Sequence, residues 1–231
     1  MRILILEHDA DAPACLLAEW AHARSHDIDV AMPQSLAAWP EPRDADAIVS
    51  LGSEHSALDG SQRWIREEID FLAAAHSASV PVLGICFGGQ ALSAALGATV
   101  SRAPRAEVTW RPIETQAPDV ITPGPWPFWH EDRFDLPPGA RLLAGTESEV
   151  VAFADGASVG LQFHPEADAA IVRAWVDGGR EKLRVYGVDE AEFEREIERY
   201  GPAARDLAFD LFDRIASLWS DLRMARQPSL G

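Results

Sequence analysis

Along the first hundred residues, short unbroken apolar runs alternate with stretches whose apolar positions recur every three or four residues. The runs at 2–7, 28–31, 45–51 and 80–85 read as strands. The periodic stretches between them read as helices. One is predicted over 13–24, with Pro13 in its first turn and Leu16, Leu17 and Trp20 on one face. A second covers 61–75, where Ile65, Ile69 and Leu72 join the aromatics Trp64 and Phe71. A third covers 88–96 and stops at Gly97. Residues 33–42 carry several prolines and read as a loop. Strands alternating with helices predict an α/β fold, a mostly parallel central sheet with helices on both faces.

The rhythm changes after residue 98. From 98 to 163, short extended pieces are separated by Pro and Gly, which suits antiparallel strands and loops. From 168 to 226 the pattern is helical, with helices predicted over 169–176, 189–200 and 202–224. The last residues, 227–231, read as a loose tail. No internal repeat is present. Residues 1–226 are read as one domain, with 168–226 as its helical C-terminal part.

Composition narrows the function classes. The chain has 231 residues, 47% of them apolar, enough for a full core. Its net charge of −17 disfavours a sequence-independent grip on nucleic acid or on an anionic membrane. Cys15 and Cys86 are the only cysteines, too few for a disulfide framework and suited to a reducing compartment. Arg2-Ile3-Leu4-Ile5-Leu6 is too short for a signal-peptide core, and no run approaches the ~20 residues of a membrane span. The expectation is a cytoplasmic protein. No phosphate loop, dinucleotide fingerprint or paired Cys/His spacing occurs, so neither a cofactor nor a metal is expected. Nothing in the sequence speaks to oligomeric state.

Two segments carry candidate chemistry. Val80-Pro81-Val82-Leu83 runs into Gly84-Ile85-Cys86-Phe87-Gly88-Gly89-Gln90, and a helical stretch follows. This is the pattern of a nucleophile elbow written with cysteine. Glycines before and after Cys86 leave room for a sharp turn, and the helix N-terminus behind it offers N–H groups and a positive dipole end. Taken alone, the segment reads equally well as a buried structural cysteine after a strand. The second segment is Gly160-Leu161-Gln162-Phe163-His164-Pro165-Glu166. In extended geometry His164 and Glu166 point to the same side. Glu166 can then orient the ring while its other nitrogen faces a thiol. Alone, this too has a plain reading, a strand-end histidine before a Pro-Glu helix start.

Together, in this order and separation, the two segments resemble the class I, or triad, glutamine amidotransferase family. Leu51-Gly52-Ser53-Glu54-His55-Ser56 falls where that family has its oxyanion loop. The stretches Glu107-Val108-Thr109-Trp110-Arg111-Pro112-Ile113 and Trp129-His130-Glu131-Asp132-Arg133 resemble stand-alone members similar to the amidotransferase domain of GMP synthase. The resemblance implies a flavodoxin-like fold with a helical C-terminal extension. It implies Cys86 as nucleophile, His164 as base and Glu166 as its orienting partner. It also implies oxyanion donors at Phe87 and in the Gly52-Ser53 loop. The chain departs from the family at that loop, which usually reads Gly-Gly-Pro; a Gly52 that merely ends a strand is the alternative. Gln90 resembles the family glutamine at the substrate's α-amino or carboxylate end. Four residues after Cys86, it is expected on the same helical face at the pocket rim, or else as an exposed helix residue. His130 falls in an aromatic stretch, Trp126-Pro127-Phe128-Trp129, expected to be a loop that lines the pocket, covers it or packs. Cys15 is read as core filler.

The implied reaction is hydrolysis of the glutamine side-chain amide through a γ-glutamyl thioester, with ammonia passed to a separate synthase chain. The alternative is a stand-alone γ-glutamyl hydrolase or peptidase acting on a small conjugate. A non-catalytic regulatory protein on the same scaffold would predict a broken triad, and here all three residues are present.

Overall fold

The computed structural model describes the backbone of residues 1–226 and side chains through residue 220. The tail expected over 227–231 lies outside the described residues. Five strands form the parallel part of the main sheet. They are β1 (Arg2–Leu6), β2 (Asp27–Ala31), β3 (Ala47–Ser50), β4 (Val82–Ile85) and β9 (Ser158–Leu161). Two antiparallel strands, β8 (Glu149–Asp155) and β7 (Arg141–Thr146), extend it, giving the order β2-β1-β3-β4-β9-β8-β7. The order reverses between β1 and β3, as in flavodoxin-like sheets, and such sheets bind ligands beyond the carboxyl ends of their strands.

Alternation along each strand divides the core into two layers. Ile3 and Ile5, Val49, Leu83 and Ile85, and Val159 and Leu161 face one side. There they meet Leu17 and Trp20 of α1 (Cys15–Ala23) and Phe212 and Ile215 of α6 (Ala204–Arg226). Leu4, Leu6, Ile48 and Val82 face the other side. They pack on Ile65 and Leu72 of α2 (Arg63–Ser77) and on Ala91 and Leu92 of α3 (Phe87–Ala95). Strand positions i and i+2 share a face, so each strand feeds both layers, which is why these runs are apolar throughout. β2 is the exception. It is an edge strand whose Asp27 and Asp29 blunt the open side.

Three expectations change. The stretch Trp126-Pro127-Phe128-Trp129-His130 is not a loop. It belongs to β6 (Trp126–Phe134), paired antiparallel with β5 (Val100–Arg111) in a separate two-stranded sheet. Its alternation is masked by aromatics on both sides: Trp126 and Phe128 are buried, while Trp129 and His130 face the cleft described below. The helix expected over 169–176 runs on as α4 (Ala169–Tyr186), through Gly178 and Gly179. Asp168 caps its start by accepting from the Ala170 and Ile171 N–H groups, and Gly187 ends it at φ +73°. Gly179 packs against the Trp129 ring, where a Cβ would come within 2.9 Å. Cys15 is half-buried at φ +34° and packs at the margin of the core rather than within it. The remaining helix, α5 (Glu190–Tyr200), is capped by Asp189.

Candidate active site

The carboxyl ends of β1, β3, β4 and β9 converge on a cleft of about 460 Å³. Cys86 follows β4 directly, at φ +52° and ψ −106°. A non-glycine residue in this region is strained and persists only where its surroundings hold it. The hold is visible. The Cys86 N–H donates to the Leu161 carbonyl at 2.8 Å, and the Gly88 N–H donates to Leu51 at 3.0 Å. Side chains are excluded on both flanks: a Cβ at Gly84 would overlap the Gly88 carbonyl, and one at Gly88 would overlap Ser50. The glycines of the motif are therefore packing requirements of the turn.

His164 follows β9 and lies across from Cys86. Its Nδ1 is 2.7 Å from Glu166 Oε1, and both side chains are buried. The ring's Nε2 is buried without a hydrogen-bond partner. Burial opposes a charge on His164. The Glu166 carboxylate and then the Cys86 thiol outweigh it, so the ring's pKa lies well above its usual value. Trp175 of α4 packs edge-on against the ring, 4.9 Å between centroids. The sulfur of Cys86 is 3.7 Å from the Trp129 carbonyl and 3.8 Å from the Gln162 amide nitrogen.

The other predicted positions also reach the cleft. Gly52 and Ser53 line it directly after β3. Gly52 lies so close to His164 that a Cβ there would come within 2.9 Å of the ring's Cε1. Phe87 opens α3, and first-turn N–H groups have no partner within the helix. Gln90 lines the cleft but is neither exposed nor at its rim. It is 3% exposed, and its amide donates to the Asp132 carbonyl at 3.1 Å, tying α3 to β6. His130 faces the cleft with its ring held by Glu107 at 3.1 Å and the Asp132 carbonyl at 2.9 Å. It does not approach Cys86 closely enough to form a hydrogen bond.

Sequence reasoning passed over His8, Glu68 and Asp132. His8 is buried behind Gly52 and bonded to Glu68. A signal was available: the polar Glu7-His8-Asp9 follows β1, at the end of the sheet where such folds bind ligands. At the mouth, Arg102 pairs with Glu131 at 2.6 Å and with Asp132 at 3.1 Å. Tyr186 donates to Glu131 and Ser56 donates to Asp132. Lys182 lies 3.6 Å from Glu54. Among the described residues, no group of His, Cys, Asp and Glu side chains is arranged to hold a metal ion, and no helix is long and apolar enough to cross a membrane.

Fold and cleft together define an α/β protein that gathers a cysteine on a strand–helix elbow and a glutamate-braced histidine at the carboxyl end of its sheet. The chain belongs to the class-I glutamine amidotransferase family, an enzyme family whose sequence profile matches residues 41–171, more than half of its length. It is 34% identical over 153 residues to a glutamine-hydrolysing GMP synthase of Alkalilimnicola ehrlichii, covering 56% of this chain and 28% of that protein. It is 42% identical over 94 residues to the GMP synthase of Thermomicrobium roseum, covering 38% and 18%. The matched part thus spans less than a third of either relative. Among solved structures, a glutamine amidotransferase from Thermotoga maritima superposes with a TM-score of 0.82 at 24% identity, over 93% of this chain and 97% of that one. A second, from Methylobacillus flagellatus, gives 0.83 at 24% identity over 94% of each. These two likenesses establish the fold.

Proposed function

We propose that this chain hydrolyses the side-chain amide of glutamine, releasing glutamate and ammonia, with Cys86, His164 and Glu166 as its catalytic residues. The observation that carries this reading is the strained Cys86 elbow facing a histidine braced by Glu166 at 2.7 Å. In the first step the Cys86 sulfur attacks the amide carbon as the thiolate, its proton already held on the His164 ring, whose raised pKa favours the cation. The amide oxygen becomes an oxyanion, received by the Phe87 and Ser53 N–H groups; one such donor is worth about 3 kcal/mol. His164 then protonates the nitrogen, the C–N bond breaks and ammonia leaves a γ-glutamyl thioester on Cys86. Water gives a proton to His164 and attacks the thioester. Glutamate departs, and the thiolate is restored beside the protonated ring. Glu166 keeps the ring in the orientation that presents Nε2 and stabilises its cation.

The ammonia is proposed to pass to a separate synthase chain, as the resemblance to glutamine-hydrolysing GMP synthases suggests. One observation favours a second reading, a stand-alone γ-glutamyl hydrolase. A cleft of about 460 Å³ has room for a conjugate larger than glutamine. Steady-state assay of the purified chain on glutamine and on γ-glutamyl amides, with ammonia and glutamate both measured, decides between them. Slow hydrolysis of glutamine by the free chain supports the amidotransferase subunit. High turnover on a γ-glutamyl peptide with little on glutamine supports the hydrolase. No turnover on any of them, even with Cys86 reactive, removes the stand-alone reading and leaves the subunit to be tested with its synthase partner.

A further inference from the structure

Behind the loop that follows β3 lies a buried polar chain with no access to the cleft. His8 and Glu68 are closed to solvent as side chains. His8 Nε2 is 2.9 Å from Glu68 Oε2, and Ser50 donates its hydroxyl to Glu68 Oε1 at 2.7 Å. The other ring nitrogen, His8 Nδ1, is 3.1 Å from the Gly52 carbonyl. Polar groups this deep carry a large desolvation cost, and the fold's apolar residues could fill the same space. None of the three is used in the reaction as derived above.

We propose that His8, held by Glu68 and Ser50, is a positioning residue that fixes the Gly52–Ser53 peptide so that the Ser53 N–H faces Cys86 as an oxyanion donor. The inference rests on the acyl-transfer reading of the Cys86 site. A trans peptide is planar, and its C=O and N–H point in opposite directions. Pinning the Gly52 carbonyl back onto His8 therefore turns the Ser53 N–H forward, toward the cleft that Gly52 and Ser53 line. The next residue is pinned as well: the Glu54 N–H donates to Asp9 at 2.8 Å. Consecutive residues after β1 thus clamp the loop on either side of Ser53.

The same ring supports the other donor. His8 packs edge-on against Phe87, 4.8 Å between centroids, and Trp64 closes its other side at 5.4 Å. Both nitrogens of His8 face acceptors, a carbonyl and a carboxylate, so the ring meets both only as the doubly protonated cation. Burial opposes that charge, but Glu68 outweighs it, and the pKa of His8 is raised. A cation one peptide behind the oxyanion adds to the field in which negative charge develops.

The test compares two reagents for Cys86. A glutamine-shaped chloromethyl ketone is first attacked at its carbonyl, giving an oxyanion, before the sulfur forms a bond to the methylene carbon and chloride leaves. Iodoacetamide is displaced at the carbon bearing iodide and forms none. His8→Ala should lower kcat for glutamine hydrolysis and the rate of ketone labelling by about 100-fold, as for loss of one oxyanion donor. KM and the iodoacetamide rate should stay within about threefold of the parent, the size of change expected where a transition-state contact alone is lost. His8→Asn, whose amide can still donate to Gly52, should recover at least about tenfold of the lost rate, since most of the donor's contribution returns. Equal slowing of both reagents would mean that the variant has disturbed the thiol itself, and would overturn the proposal. So would unchanged hydrolysis in His8→Ala. If His8→Ala does not fold, Glu68→Gln, which keeps the shape and removes the charge, takes its place with the same two readouts. Failure of the parent chain to hydrolyse any γ-glutamyl amide would instead remove the stand-alone reading and send the subunit reading to an assay with its synthase partner, while the ratio of the two labelling rates would still report the loop.

Discussion

Cys86 and Cys15 carry the same thiol in opposite settings. Cys15 is half-buried beside Asp168, and burial first, then that carboxylate, push its pKa up to about 11. At neutral pH it is a thiolate to only about one part in ten thousand. Cys86→Ala should abolish glutamine hydrolysis, and Cys15→Ala should leave it within about twofold, as befits a residue outside the site. Labelling with the ketone followed by peptide mapping should find Cys86 alone. At Gly52 the constraint is steric. A methyl group there would meet the His164 ring at 2.9 Å, yet the position borders the open cleft. Gly52→Ala should therefore lower kcat by at least about tenfold while changing stability by under about 1 kcal/mol, readable from parallel assays and denaturant melts. The His164–Glu166 pair makes a prediction with a sign. The ring's pKa is raised by Glu166, so its contribution to stability is complete below about pH 6.5 and is lost as pH rises through the raised value. Glu166→Gln should shift the ring's titration to lower pH by NMR and narrow the stability gained below pH 6.5. A ring that titrates unchanged in the variant would contradict the pairing. Groups acting as a unit are not additive, so the Cys86→Ala, His164→Ala double variant should lose little more activity than either single one.

Among the elements, the β4–α3 turn is the part most closely fitted. Gly84, Gly88 and Gly89 each sit against backbone where a Cβ would overlap a carbonyl, at Gly88, Ser50 and Leu161 respectively. The elbow is thus a joint between β4, β3 and β9 as well as a turn. Gly88→Ala should cost about 1–3 kcal/mol, in the range of overpacked cores, and should displace Cys86 with it. Denaturant melts and iodoacetamide labelling would show the two effects together. β6 has a comparable double role. Trp126 stacks on Phe163 in the core, 5.0 Å between centroids, while Trp129 offers its carbonyl to the Cys86 sulfur from the next turn of the pleat. Trp126 and Trp129 are three positions apart, an odd spacing that a strand turns to opposite faces as a matter of geometry and a free loop does not.

Across the whole molecule, the C-terminal helix α6 is built into the main core rather than appended to it. Ala208, Leu211, Phe212, Ile215 and Trp219 are all buried. The Trp219 indole donates to the Ala157 carbonyl at 3.2 Å, next to β9, the strand that leads to His164. Asp213 accepts from the Trp20 indole at 2.9 Å and pairs with Arg24 at 2.6 Å, fastening α6 to α1. Trp219→Ala should cost about 3–5 kcal/mol by leaving a large cavity, whereas Arg24→Ala, at an exposed pair, should cost under about 1 kcal/mol. Urea unfolding of both variants checks the contrast. The cleft stands at the carboxyl ends of the strands because only there do loops from β1, β3, β4 and β9 meet, with His8, Gly52, Cys86 and His164 each within three residues of a strand end.

The sequence by itself determined whatever depends on neighbours along the chain. Apolar runs and helical spacing placed four of the five parallel strands to within a few residues, whereas β9, parallel to β4, lies in a stretch expected to be antiparallel strands and loops. The glycine pattern around Cys86 carried the elbow, because a strained turn excludes side chains at fixed offsets. The pairing of His164 with Glu166 was legible from their nearness in the chain, although they meet in a turn beyond β9 and not along an extended strand. Tertiary structure decided the rest. The aromatic stretch could be assigned to a strand only once β5 lay beside it, since aromatics on both faces hide the alternation. Helix α4 could cross its paired glycines only with Trp129 and the core to pack against. Gln90 turned inward because a carbonyl on β6 was there to accept from it. His8 and Glu68 are 60 positions apart and meet only because β1, β3 and α2 pack together. Backbone sterics and side-chain periodicity are local and can be read from order alone. A hydrogen bond between buried groups exists only after the sheet has chosen its strand order and each helix its face.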